Sequence, residues 1–437
     1  MNRYDSYKDS GVEWIGEIPK HWINSRLKYV SEIVTGNTPP TKDEDNYEGG
    51  EFLWVKPNEI NGLIPTNDTK QKLTIKGRSL SRVLPPFSVL VNGIGRIGVF
   101  GFSELPVSTN QQINSIVFND KVDNRYGIFH VSMMKEGFLS NSEKVVVPIL
   151  NKTKQENLEF ILPPISEQQQ IVSFLDDKTQ KIDFVIQQKE RKVKLLKEKT
   201  TSLIKHVVTK GINTNGEMKN SGVEWIGDIP RHWKMKKVKY LFEIRKRISG
   251  ELGYDVLSVT QKGLKVKDII SGKGQVSMDY TKYQIVNKDD FVMNHMDLLT
   301  GYVDVSKQLG VTSPDYRVFT LTDEKSNKDY YLSIFQFGYK NKIFYGSGQG
   351  SSMLGRWRLP SRPFNEFKFP YPPMKEQQQI VEYLDKQTEE IDTLIQLEQK
   401  KIDTLKEYRQ SFISEVVTGR IRVCEEDNSL SLNSQIV

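Results

Sequence analysis

The sequence predicts a mixed α/β (α+β) chain in which two pseudo-repeated, strand-rich domains are joined by two long antiparallel coiled-coil helices about a pseudo-two-fold axis. Three observations carry this expectation. The segment KDSGVEWIGEIPKHWINSRLKYVSEI at 8–33 returns as KNSGVEWIGDIPRHWKMKKVKYLFEI at 219–244, identical at 16 of 26 positions. A second segment, FILPPISEQQQIVSFLDDKTQKID at 160–183, returns as FPYPPMKEQQQIVEYLDKQTEEID at 369–392, and each copy runs into a charged helical stretch closing on VVTKGI or VVTGRI. Between these blocks lie two inserts of similar length, 34–159 and 245–368, with no motif that can be aligned. A constant frame around two different inserts suits a protein that presents two different heads in one geometry. An enzyme duplicated within one chain would instead repeat its active site.

The elements follow in chain order. Each insert carries short β-rich runs, FLWV at 52–55, SVLV at 88–91 and SIVF at 115–118, then DVLSV at 255–259 and RVFTL at 317–321, separated by Gly, Pro, Asn and Asp turns. After Pro163-Pro164, the run Ser166-Glu167-Gln168-Gln169 has the form of a capping box, so a helix is expected to start at Ser166. Apolar residues then fall on a 4-3-4-3 rhythm at Ile182, Ile186, Val193, Leu196, Leu203 and Val207, interrupted by Lys189 and Thr200. The second copy keeps the register at Ile391, Ile395, Ile402, Leu405, Phe412 and Val416, interrupted by Glu398 and Arg409. This is a coiled-coil seam of nearly four heptads, expected to pair the two helices with each other.

At 1.5 Å per residue the seam is a rod of roughly 39 Å, close to one turn of B-DNA at about 34 to 36 Å. Asp176-Asp177-Lys178-Thr179 is a weak helix former and is expected to break off a short first helix. Gly211 and Gly419 supply helix stops. Residues 209–222 read as a polar linker, and the C-terminal residues from 422 on as a frayed tail. The expected division is 1–165, a first domain; 166–210, a spacer helix; 211–221, a linker; 222–374, a second domain; 375–418, a second spacer helix; and 419–437, a tail.

Composition narrows the class. Hydrophobic residues at 37% and charged residues at 27% describe an ordinary globular chain. No apolar run approaches the length of about 20 residues that spans a bilayer, so neither secretion nor membrane insertion is expected. The single cysteine, Cys424, allows no internal disulfide and no thiolate metal cluster, and a cytoplasmic setting is expected. The net charge of +7 leans toward a polyanionic partner. Lys234, Lys236, Lys237, Lys239, Arg245, Lys246 and Arg247 cluster where the second insert begins, and Arg356, Arg358 and Arg362 surround Trp357 near its end. Such clusters serve as solvated edges about as often as binding surfaces.

Two motifs suggest chemistry. Gly93-Ile94-Gly95-Arg96-Ile97-Gly98 has the form G-x-G-x-x-G after a strand-like run, the basis of an alternative reading as a nucleotide-dependent oxidoreductase. Val99-Phe100-Gly101-Phe102 is a poor helix start, however, and no second βαβ half follows, so these glycines read as turns. Gly346-Ser347-Gly348-Gln349-Gly350-Ser351 is not followed by G-K-[ST] and is no Walker loop. His21 and His232 belong to the repeated IP-x-HW and read as packing residues. The sequence contains no H-E-x-x-H or G-x-S-x-G, and none of its Pro-Pro pairs has the flanking residues of an amino-methyltransferase site.

The frame resembles the specificity subunit of type I restriction-modification systems. The resemblance rests on SGVEWIG-x-IP-x-HW at 10–22 and 221–233, PP-x-x-EQQQIV-x-x-LD at 163–176 and 372–385, and LKEYRQSFISEVVTGRI at 405–421, and it extends over the whole chain. Lys199-Thr200-Thr201 departs from Tyr408-Arg409-Gln410 of the second copy. The resemblance implies two target-recognition domains, each reading half of a bipartite, asymmetric site on double-stranded DNA, and no catalysis by this chain. It also implies two methyltransferase subunits that use S-adenosylmethionine and flip out adenines, and endonuclease/translocase subunits that use ATP and Mg. The rival reading is a stand-alone DNA-binding or scaffolding protein without a methyltransferase partner.

Reading bases requires short amide side chains or bidentate forks. The candidates in the first insert are Asn92, Arg96, Asn110, Gln111 and Gln112, around the glycine turns. Those in the second are Asn294, His295, Gln349, Arg356 and Arg358.

Overall fold

The protein is described by a computed structural model covering residues 3–143, 147–213, 215–269, 277, 279–350 and 357–423. The chain divides into two compact units, Met1–Lys189 with Lys400–Val437, and Glu190–Gln399. Both boundaries fall inside long helices, Ile165–Lys210 of 46 residues and Met374–Val417 of 44 residues. Each unit therefore contains one insert and one part of each helix.

In the first unit a hairpin, Tyr7–Asp9 with Glu17–Pro19, precedes strand Ile23–Arg26, which pairs antiparallel with Glu159–Leu162. The insert thus leaves and rejoins the frame side by side. Its core is an antiparallel sheet in the order Ser31–Thr35, Ile113–Phe118, Val89–Asn92, Phe100–Phe102. Helix Asn124–Met133 follows, and its N-cap Asp123 accepts from the backbone N–H groups of Arg125 and Tyr126. A smaller mixed sheet, Lys72–Leu73, Phe52–Val55, Val107–Thr109, Val83–Leu84, has an apolar cluster of its own around Leu53, Val55, Ile60 and Leu90.

The second unit repeats this plan. Met218–Asn220 pairs with Asp228–Pro230, and Lys234–Lys237 pairs with Lys368–Tyr371. The main sheet runs Phe242–Arg245, Arg317–Leu321, Phe291–Met293, Val303–Val305, all antiparallel. Helix Lys328–Lys340 follows, capped by Asn327. The two inserts therefore share a sheet-and-helix core that their sequences do not reveal. They differ outside it, where the second has the ladders Leu257–Thr260 with Gly263–Val266 and Gln284–Val286 with Gly310–Thr312 in place of the small mixed sheet.

Within each unit the two helix segments run antiparallel. In the first, Phe174 packs on Phe412 with ring centroids 5.8 Å apart, and Asp183 pairs with Arg409 at 2.8 Å. In the second, Lys192 pairs with Glu398 at 2.9 Å. Two of the polar interruptions, Glu398 and Arg409, thus carry cross-helix ion pairs, and the apolar seam residues flanking them, Ile182, Ile186, Val193, Ile391, Ile402 and Leu405, are buried.

Four expectations are corrected. The first long helix starts at Ile165, and its first bonds run from Glu167 and Gln168 N–H to the Pro164 carbonyl, so Ser166 is not the cap. No break occurs at Asp176–Thr179. Thr179 is buried and donates to the Leu175 carbonyl at 2.7 Å, and Asp176 pairs with Arg125 at 2.6 Å, so tertiary contacts outweigh weak local propensity. Met218–Asn220, read as linker, is a strand. The start of the expected frayed tail is packed, with Arg422 paired with Asp5 at 3.5 Å and Val423 against the core of the first unit. Cys424 lies outside the described residues.

Candidate nucleic-acid interface

The frame is held by the repeated residues themselves. Trp22 is fully buried and its indole N–H donates to Glu167 at 3.0 Å, while His21 meets the other oxygen of the same carboxylate at 2.6 Å. Trp233 and His232 make the same contacts with Glu376, both at 2.8 Å. Gln168 accepts from the Asp123 N–H at 2.8 Å and donates to the Lys121 and Pro163 carbonyls; Gln377 does the same with Asn327, Lys325 and Pro372. Through these glutamines the repeated E-Q pair fixes the helix N-cap of each insert. The glycine stops also have a packing role. At Gly419, φ is +76° and a Cβ would sit 2.9 Å from the Trp22 ring; at Gly211, φ is +78° and it would sit 3.2 Å from Trp233.

On these supports the candidate residues fall at one end of each main sheet. In the first unit the Gly93–Gly98 turn joins Val89–Asn92 to Phe100–Phe102, closed by Asn92 N–H to the Val99 carbonyl at 3.0 Å. The Asn110–Gln112 turn leads into Ile113–Phe118, and Gly93 N–H donates to the Gln112 carbonyl at 2.8 Å. In the second unit the equivalent loop follows Phe291–Met293 and closes by Asn294 N–H to the Tyr302 carbonyl, also at 3.0 Å. Beside it Gln349 and Arg358 exchange backbone bonds at 2.8 and 2.9 Å, and Leu359 N–H donates to the His295 carbonyl. A strand rather than a helix follows Gly98, which removes the helix N-terminus that a dinucleotide site requires.

The individual side chains differ in reach. Arg96, Gln111, Gln112, Gln349 and Arg358 are exposed, and Asn110 and Asn294 are half-buried. Asn92 is fully buried, with neither amide atom bonded among the described residues, so it cannot meet a base edge. His295 is buried as well, and burial together with Arg317 and Arg358 pushes its pKa down to about 3. Arg356 lies outside the described residues.

The basic cluster at the start of the second insert is largely neutralised. Lys236 pairs with Asp323, Lys237 and Lys239 with Glu366, Arg245 with Glu243 and Arg247 with Asp290. Only Lys234 and Lys246 of the seven lack such a partner among the described residues. The cluster is therefore ion-paired rather than a free basic edge, mostly by acids distant in sequence.

Sequence reasoning missed several neighbours of the candidates. Arg82 donates to the Thr35 carbonyl at 2.6 Å, and Thr38 donates to Gln111, at the same end of the first sheet. In the second unit a cavity of about 540 Å³ is lined by Asn294, Asp297, Asp315, Tyr283, Tyr316 and Ser258, among others. Periodicity signals none of these, since they meet through sheet pairing. Among the described residues no cluster of three His, Cys, Asp or Glu side chains could hold a metal, and no helix is long and apolar enough to cross a membrane.

The sequence profile of the type I restriction modification DNA specificity domain matches residues 19–195 and 230–407. The chain belongs to this family. It is accordingly a DNA-recognising specificity subunit and not itself catalytic. The type I restriction enzyme MjaVIII specificity subunit of Methanocaldococcus jannaschii is 26% identical over 444 residues, 93% of this chain and 94% of that one. The MjaIX specificity subunit of the same organism is 26% identical over 237 residues, 53% of this chain and 54% of its own length. A solved structure concerned with complex assembly and conformational transition of the type I R-M system shares the fold, with a TM-score of 0.66 at 13% identity over 92% of this chain and 99% of the other.

Proposed function

We propose that the two units read the two halves of a bipartite, asymmetric DNA site, with the long helices setting the distance between the halves. The observation that carries this reading is the contrast between frame and loops. Both units hold their insert with the same Trp-Glu-His and Gln contacts, while the residues offered at the same end of the same sheet differ, Arg96 with Asn110–Gln112 in one and Asn294, Gln349 and Arg358 in the other. Two equivalent supports suit two copies of a methyltransferase subunit, which would bring S-adenosylmethionine; endonuclease/translocase subunits would bring ATP and Mg. A cytoplasmic location fits that assembly.

Exchanging residues 34–159 for the corresponding insert of a relative should change one half-site and leave the other intact, as read by genome-wide mapping of methylated adenines. Loss of both halves would refute independent reading. Inserting four residues between Leu196 and Thr200 continues the apolar stripe with a stutter and lengthens the rod by roughly 6 Å. Because a base pair rises about 3.4 Å, the gap should grow by about one or two base pairs with both half-sites unchanged. An active variant with the original spacing would show that the helices are not the ruler.

A further inference from the structure

Arg317 opens the second strand of the main sheet in the second unit and is 4% exposed. One terminal nitrogen, Nη2, donates to the Leu359 carbonyl at 2.8 Å and to Ser361 Oγ at 3.3 Å, and the guanidinium lies 4.5 Å from the Phe364 ring centroid. The other, Nη1, is buried without an acceptor, and among the described residues no carboxylate pairs with Arg317. The buried Asp290 of the same unit, by contrast, has Arg247 at 2.5 Å. An uncompensated buried cation is costly to keep, and a folded protein offsets that cost when an anion arrives from outside.

The surroundings add further donors. The Trp357 indole N–H is also buried without an acceptor among the described residues. His295 stays neutral, so it neither cancels nor adds charge. The segment that Arg317 straps down carries the exposed Arg358, whose backbone is fixed from the other side by both bonds to Gln349. Arg358 has no ion-pair partner among the described residues.

We propose that Arg358, backed by the buried charge of Arg317, seats a phosphate of the DNA backbone. Arg358 makes the contact. Arg317 is a positioning residue that holds the Arg358 segment and raises the local positive potential. The inference rests on the DNA-reading function above and deepens it, assigning Arg358 to the backbone instead of to a base edge. Guanine also offers acceptors to an arginine fork, so the test separates the two.

The full chain in complex with its methyltransferase subunit is titrated with duplex carrying the mapped site across a salt series. Arg358→Gln should weaken binding several-fold at low salt and reduce the log–log salt slope by about 0.9, with the methylated sequence unchanged. Arg358→Lys should restore the slope. Arg317→Met should weaken binding more at low salt than at high salt. If Arg317→Met fails to fold, the two Arg358 variants decide alone. An unchanged slope in Arg358→Gln overturns the proposal, and so does relaxed preference at one base of a half-site with the slope retained. A wild-type complex that methylates no defined sequence would refute the underlying reading instead.

Discussion

Trp22 and Trp233 occupy equivalent places in the two units and do the same thing with the same partners. The Gly93–Gly98 turn and the Asn294–Leu298 turn also occupy equivalent places, but they present different chemistry. The first contact set lies in buried packing, where an indole, its carboxylate acceptor and a left-handed glycine must all fit at once. Changing any one leaves an unbonded donor or a clash. The second set lies at the open end of a sheet, where backbone bonds such as Asn92 to Val99 and Asn294 to Tyr302 close the loop. Constancy follows from side chains that lock distant elements of the frame to one another, and freedom from loops whose side-chain bonds stay local.

The strongest way to break this comparison is to truncate the indoles. Trp22→Ala and Trp233→Ala should each cost about 3–5 kcal/mol, and urea melts that follow the two units should show similar losses. A much smaller loss for one would mean that the frames are alike in geometry and unlike in energetics.

Acid sharpens it next. His130 is fully buried, accepts from the Ile161 N–H at 2.9 Å, and burial pushes its pKa down to about 3. Its folded value lies below the unfolded one of about 6.5, so its stabilisation is complete above pH 6.5 and is lost as pH falls toward 3, at roughly 1.4 kcal/mol per pH unit. Melting of the first unit should therefore weaken between pH 6.5 and 5, and His130→Gln should flatten that dependence. Equal stability at both pH values in the wild type would show that the imidazole accepts a proton in place.

A smaller effect, about 1–3 kcal/mol, should follow Glu167→Ala or Glu376→Ala, since each strands a buried indole N–H. At the opposite pole, Arg96→Ala should shift stability by less than about 0.5 kcal/mol while changing DNA recognition in one half-site only. Thermal melts and methylation mapping of the same variant check both halves of that statement.

Periodicity and repetition along the chain determine the frame, the pairing of the helices, the glycine stops and the β-rich character of the inserts, because each depends on residues close in sequence or copied within it. The main sheet shared by the inserts is invisible there, since Phe291–Met293 and Val89–Asn92 are equivalent by strand order and not by residue identity. Only the tertiary structure decided which candidates are exposed. Asn92 and Arg96 lie four residues apart, yet one is sealed inside the sheet and the other is in solvent. Nor could composition tell that Lys236, Lys237, Lys239, Arg245 and Arg247 are paired while Arg317 has no carboxylate partner among the described residues. Charge balance at a side chain depends on what folds against it, and, apart from Glu243 beside Arg245, those acids come from segments tens to more than a hundred residues away, as with Lys237 and Glu366.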